Sequence, residues 1–191
     1  MGRKPSTTLH EHILEVATDL FYRQGIRAVG VDAIVASAGI AKMTLYQHFG
    51  SKDDLILAFL RRRDERWRAW LRTAVERRAT LPKERLLAIF DALGEWFAAP
   101  EFRGCAFINT AIEVADPAHP AHRVALEHKQ LMQAYIAELA REAGVRESEP
   151  LSRRLLLLVE GAIVTAQVGT DPAPARQARE AAEVLIGAVL K

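Results

Sequence analysis

Only one cysteine, Cys105, occurs in the 191 residues, so no disulfide can form within the chain and packing alone must stabilise the fold. A lone thiol of this kind is expected to be a buried, inert one. Long apolar runs are also missing. The densest, Leu155–Val159, is far too short to cross a bilayer. The basic start, Met1-Gly2-Arg3-Lys4-Pro5, is followed by no continuous apolar segment, which argues against a secretory leader and makes the cytoplasm the expected location, with no membrane partner. Charge of one sign is lacking as well. The 26 Lys and Arg against 24 Asp and Glu leave a net charge of only +2, so any polyanion would have to be met by a local basic face and not by a global field. Strand-like alternation bounded by turn residues is scarce. No H-E-x-x-H, nucleophile elbow or phosphate-binding glycine loop occurs, so no enzyme and no cofactor are expected. Glu113, Asp116, His119 and His122 have helix-like spacing, but Pro117 and Pro120 interrupt any shared face, and no metal site is expected.

Half of the residues are hydrophobic, enough for a packed interior, and they sit in Ala-, Leu-, Glu- and Arg-rich runs that favour helix. Gly and Pro fall mainly between those runs. The expected fold is all-α with about nine helices. Thr8-Leu9-His10-Glu11 reads as a capping box, after which Leu9, Ile13, Ala17, Leu20 and Phe21 form one apolar stripe ended by Gly25. A short second helix spans about Val31–Ser37 and a third about Lys42–His48, with Ile34, Ala38, Leu45 and Phe49 inward and Gly39 at the corner between them. Ser51-Lys52-Asp53-Asp54 caps a long fourth helix. Its inward side carries Leu55, Phe59, Trp67, Trp70 and Leu71, and the arginines from Arg61 onward are expected on a solvated face. Pro82 opens a fifth helix. Further helices are expected at Gly104–Ala115, 118–143, from Glu149-Pro150 to Val168, and Ala175–Leu190.

Two short helices meeting at a glycine corner are the pattern of a helix-turn-helix, here at about 30–49. The outer side of the third helix presents Lys42, Met43, Thr44, Tyr46, Gln47 and His48. It is rich in hydrogen-bonding groups and free of acids, which suits a major groove. The basic Arg3 and Lys4 are candidates for a flexible arm on the same DNA.

These residues resemble the TetR family of transcriptional regulators. The matching parts are Ile13-Leu14-Glu15-Val16-Ala17 with Leu20-Phe21 and Gly25, then Val31-Asp32-Ala33-Ile34 with Ala38-Gly39-Ile40, then Thr44–Phe49 with Ser51–Leu55. The resemblance covers the first quarter to third of the chain. It implies an N-terminal DNA-binding domain at 7–67 and a C-terminal ligand-binding and dimerisation domain at 68–191. It also implies that Lys42, Met43, Thr44 and Gln47 approach base edges while Tyr46, His48 and Lys52 contact phosphates. Gly30, before Val31, stands where the family often has Thr. Ala41 stands where it often has Ser. Both positions belong to the implied DNA-binding set, together with Val31. The implied function is a repressor released from a palindromic operator by an unidentified small molecule.

In the C-terminal part, Trp67, Trp70, Phe90, Trp96, Phe97, Phe102, Phe107 and Tyr135 must largely leave water. Most are expected to be core. Trp67, Trp70, Phe90 and Tyr135 are candidate ligand contacts, with Asn109, Glu113, His128, Glu160 and Gln167 as candidate polar anchors. Glu160 sits among Leu155–Val159 and Gly161–Val164, so if buried it needs a partner or a proton. The last two helices read as a homodimer seam. The eighth is apolar nearly all round, and a helix apolar on every side must be buried on every side.

Overall fold

The computed structural model describes residues 7–169 and 171–190; Arg3 and Lys4 lie outside the described residues. Among the described residues the regular structure is entirely helical: α1 (Thr7–Gln24), α2 (Val31–Ala38), α3 (Lys42–Phe49), α4 (Lys52–Arg78), α5 (Pro82–Phe97), α6 (Ala106–Val114), α7 (Pro120–Glu142), α8 (Ser148–Gly169) and α9 (Ala173–Val189). The chain divides into two compact units. The first runs to Glu65 and takes in Ala106–Leu126, and the second comprises Arg66–Cys105 and the chain from Glu127 onward. The sequence places a single boundary at 67/68, whereas here α6 and the start of α7 group with the N-terminal helices.

Local departures from the expected helix ends have simple causes. Thr8 already lies inside α1, so the start of that helix falls before the expected capping box. Pro150 lies in the first turn of α8 and Pro174 in the first turn of α9, instead of preceding those helices, because the first-turn N–H has no acceptor within a helix and proline loses nothing there. The Asp171 carboxylate accepts from Ala173 N–H at 2.8 Å and helps start α9. The expected cap of α4 is present: Asp54 N–H donates to Ser51 Oγ at 3.0 Å, and Ser51 Oγ donates to the Asp54 carboxylate at 2.6 Å.

In the first unit, Ile13, Leu14, Ala17 and Phe21 of α1 share a buried interior with Ile34 and Ala38 of α2, Leu45 and Phe49 of α3, and Leu55, Ile56, Phe59 and Leu60 of α4. Phe21 and Phe59 meet with centroids 5.6 Å apart. The corner between α2 and α3 is Gly39 at φ 64°, whose N–H and that of Ile40 close onto Ala36 and Val35 carbonyls. A side chain with a Cβ is strained in that conformation. The arginines of α4 do more than face solvent. Arg62 pairs with Glu11 and with Glu15 at 3.7 Å, and the Arg63 guanidinium lies 4.1 Å above the Tyr22 ring, tying α4 to α1.

In the second unit α9 packs along both α5 and α8. Its interior holds Leu86, Ile89, Phe90 and Leu93 of α5, Leu155, Val159, Ala162, Ile163 and Ala166 of α8, and Ala178, Ala182 and Ile186 of α9. The opposite faces of the last two helices are also apolar but open: Leu157 is 73% exposed, Val168 81%, Val184 72% and Val164 43%.

Phe49 is the largest side chain that α3 buries, and truncating it leaves a cavity. Phe49→Ala is expected to cost about 3–5 kcal/mol. Urea unfolding followed by circular dichroism checks this, and a loss under about 1 kcal/mol would mean that α3 is not anchored as described.

Candidate nucleic-acid interface and ligand cavity

Helix α3 turns Leu45 and Phe49 inward and leaves Lys42, Met43, Tyr46 and Gln47 exposed, with Thr44 and His48 half-buried at the margin. Met43 is 68% exposed, a large apolar side chain held in water. No acid lies on α3 itself, but α2 brings one beside it: the Lys42 ammonium donates to the Asp32 carboxylate at 2.9 Å. That hydrogen bond and the attraction of Asp32 raise the Lys42 pKa. Sequence reading of α3 alone overlooks Asp32, since the two residues meet only once the corner is folded. His48 lies against His10, centroids 5.9 Å apart, while His10 stacks on Phe49 at 4.3 Å.

Both short helices start from extended residues that offer no side-chain cap, Gly30 (φ −80°, ψ 161°) and Ala41 (φ −77°, ψ 148°). Apart from Thr44, whose N–H donates to the Ala41 carbonyl at 2.9 Å, their first-turn amides keep capacity for an external acceptor. Lys52 stands at the start of α4, and its ammonium donates to the Ile26 carbonyl at 2.6 Å. The next amide of the same turn is also held: Arg27 N–H donates to Glu113 Oε2 at 2.7 Å. The α1–α2 turn is thus gripped by a cation from α4 and an anion from α6. Gly25 makes room for the anion. At φ 87° it sits where a Cβ would come within 2.8 Å of Glu113 Oε1. His119 Nε2 lies 3.7 Å from the Asp53 carboxylate on the first turn of α4.

The remaining candidates spread over several places. Asn109 and Glu113 lie on α6 in the first unit, and Glu113 is committed to the α1–α2 turn and not to the aromatic body. Phe90 is packed in the core of the second unit. Trp67 gathers Trp70 (6.2 Å between centroids), Trp96 (5.5 Å) and His128 (5.7 Å). Tyr135 lies under the Arg72 guanidinium at 4.5 Å. Glu160 has the partner its surroundings demand: Lys129 donates to it at 2.6 Å and lies 3.3 Å from Cys105 Sγ, which is buried. Gln167 joins Phe97, Ala99, Phe102, Arg103 and Ala166 around a cavity of about 530 Å³. Lys129 was not singled out by sequence; its significance comes from Cys105 and Glu160, which are distant in the chain.

Residues 13–59 match the family described as "Bacterial regulatory proteins, tetR family", and residues 82–182 match the "Tetracyclin repressor-like, C-terminal domain". The chain belongs to the TetR family. A TetR-family transcriptional regulator from Streptomyces coelicolor is 33% identical and superposes with a TM-score of 0.87, with 100% of both chains covered. The HTH-type transcriptional regulator YjdC of Escherichia coli is 23% identical over 176 residues, 92% of each chain. The HTH-type transcriptional activator FasR of Mycolicibacterium smegmatis is 30% identical over 144 residues, 75% of this chain and 64% of FasR. TetR-family proteins of this kind regulate transcription and are not enzymes, and this member is a helix-turn-helix DNA-binding regulator. No described helix is long and apolar enough to cross a membrane.

Two outcomes follow from the geometry. Gly25→Ala is expected to cost about 1–3 kcal/mol through its left-handed backbone and the displaced carboxylate. Part of that loss is relieved in the Gly25→Ala/Glu113→Ala double variant, giving a coupling above about 0.5 kcal/mol in urea titrations; strict additivity would contradict the grip. Burial pushes the Tyr135 phenol up from 10.0 to about 12, against the opposing pull of Arg72. The unfolded phenol ionises first, so the folded state loses stability as pH rises from about 10 towards 12. An ultraviolet titration should show one late phenolate near pH 12 that Tyr135→Phe abolishes.

Proposed function

We propose that the chain is a ligand-responsive repressor that acts as a cytoplasmic homodimer on a palindromic operator. The observation that carries this reading is the exposed, acid-free polar face of α3, held outward by the burial of Leu45 and Phe49. Lys42, Met43, Thr44 and Gln47 approach base edges in the major groove, while Tyr46, His48 and Lys52 meet phosphates. The uncapped amides after Gly30, at Val31, and after Ala41 suit phosphate oxygens, which take the place of a side-chain cap. Lys52 has three N–H donors, so its bond to Ile26 leaves two for DNA. Lys42 exchanges Asp32 for the duplex.

The dimer is supported by the open apolar faces of α8 and α9, where Leu157, Val164, Val168 and Val184 face water in the single chain. Gly161, Ala181 and Ala188 on those exposed faces let helices from two copies approach closely, in the manner of a four-helix bundle. A twofold axis there presents two α3 helices to a symmetric site. Helix α4 is continuous from Lys52 to Arg78 and contributes residues to both units, so a ligand that shifts its tilt changes the spacing of the two reading helices. Linkage then makes the ligand and the operator weaken each other by the same factor.

Mobility shifts on duplex DNA from upstream of the chain's own gene test the assigned face. Lys42→Ala should weaken operator binding and relax preference at the base pair it meets, a change of about 1–3 kcal/mol. Gln47→Ala should relax preference at one base pair, a change of about 1–3 kcal/mol. Asp32→Asn removes an acid beside the polyanion and should tighten binding about three- to tenfold at low salt. Variants that leave DNA binding unmoved would place the interface elsewhere.

A further inference from the structure

One peptide group in the first unit is held from both sides by opposite charges. The Ile26 carbonyl accepts from the Lys52 ammonium at 2.6 Å, and the Arg27 N–H of the same peptide plane donates to Glu113 Oε2 at 2.7 Å. In a trans peptide these two groups point in opposite directions, so a cation from α4 and an anion from α6 grip one plane from its two edges. Both bonds are charge-assisted, and each polarises the peptide in the sense that strengthens the other. The seat of the carboxylate depends on Gly25, at φ 87°, where a Cβ would come within 2.8 Å of Oε1 and 2.9 Å of Oε2. Ile26 and Val29, 4% and 2% exposed, anchor the same turn from inside.

The end of α6 is itself tied down. Ala115, just beyond Glu113, is the one non-glycine residue with a positive φ (62°) among the described residues, a conformation strained for a side chain with a Cβ. Contacts further along hold the chain there. The Asp116 carboxylate accepts from Ala118 N–H at 2.9 Å, and His119 Nδ1 accepts from Ala121 N–H at 3.1 Å. In the neutral ring that leaves the proton on His119 Nε2, which lies 3.7 Å from the Asp53 carboxylate of α4. Glu113 therefore reaches the α1–α2 turn from a helix end that is also held against α4.

The turn leads directly to the helices that meet DNA. Gly30 is the extended residue from which α2 starts, and α2 carries the corner to α3. A turn with one orientation brings α2 to a duplex already placed. A loose turn has to be ordered on binding, and that cost is subtracted from affinity. We propose that Glu113 is a positioning residue for DNA binding: its carboxylate touches no DNA, and by holding the Arg27 amide it fixes the α1–α2 turn in the orientation that α2 and α3 need. This inference rests on the reading of α3 as the DNA-reading face.

Three variants separate reach from charge. Glu113→Gln keeps an acceptor oxygen at the same reach and loses the charge, Glu113→Asp keeps the charge but is one methylene shorter, and Glu113→Ala loses both. Binding is measured on the duplex that the wild-type chain selects from a random pool, at a temperature at which circular dichroism shows each variant folded. Glu113→Gln should bind within about threefold of wild type, Glu113→Asp more weakly and Glu113→Ala about tenfold more weakly, with an unchanged salt slope because no cation is lost. Charge alone predicts a different order, in which the Gln and Ala variants bind equally and both more tightly than Asp. Amide exchange followed by NMR adds a measurement without DNA: the Arg27 N–H should exchange at least about tenfold faster in the Ala and Asp variants than in the Gln variant. If Glu113→Ala does not fold, the comparison of Asp with Gln decides. Asp and Ala variants that bind as tightly as Gln, or an Arg27 amide equally protected in all three, would overturn the proposal. A wild-type chain that selects no duplex would refute the DNA-reading face along with it, whereas normal wild-type binding with no difference among the variants refutes only the part played by Glu113.

Discussion

Helix α3 is eight residues long and starts from an alanine that cannot cap it, so nothing local keeps it helical. Its existence and its direction both depend on two side chains, Leu45 and Phe49, being pressed into an interior built by α1, α2 and α4. Since Leu45 and Phe49 lie four residues apart, fixing them fixes the helix's rotation. The rotation in turn decides that Lys42, Met43, Tyr46 and Gln47 face out. Gly39 supplies the sharp corner that this packing requires, and Ala38 beside it is small enough for α2 and α3 to come together. The polar outer face is therefore a consequence of an apolar contact on its reverse side.

A second constraint acts on the α1–α2 turn. Lys52 and Glu113 bind successive backbone groups of one loop, the Ile26 carbonyl and the Arg27 amide, from helices far apart in the chain. A backbone held at both groups has little freedom to adjust unless α4 or α6 adjusts with it. This gives a physical route by which a displacement of α6 would be felt by the helices that carry α3, without any contact between a ligand and DNA. In the second unit, the Lys129–Glu160 pair ties α7 to α8 and offsets a carboxylate set among the apolar residues of α8.

The helical architecture was legible because its signals are local: apolar spacing in α1, the glycine corner at Gly39, and the Ser51–Asp54 cap each lie within a few residues. Helix ends at Pro150 and Pro174 were not, since proline reads as a stop in sequence although a first turn accepts it. The exposed face of α3 was readable from its own residues, but Asp32 was not, because that acid reaches Lys42 only across the folded corner. Glu113 was drawn to the aromatic body by its place in the chain, whereas α6 carries it to the Gly25 turn. Glu160 showed its need for a partner in sequence but could not name Lys129, which is a separate helix away.

The central claim is that two copies of α3, presented by a twofold dimer, read DNA in adjacent turns of the major groove. Selection of duplexes from a random pool by the full chain, followed by sequencing, tests it most directly. The account predicts an inverted-repeat motif whose half-sites are centred about 10 base pairs apart or a multiple of that spacing. Recovery of no motif, or of a lone half-site without its mirror image, would contradict it.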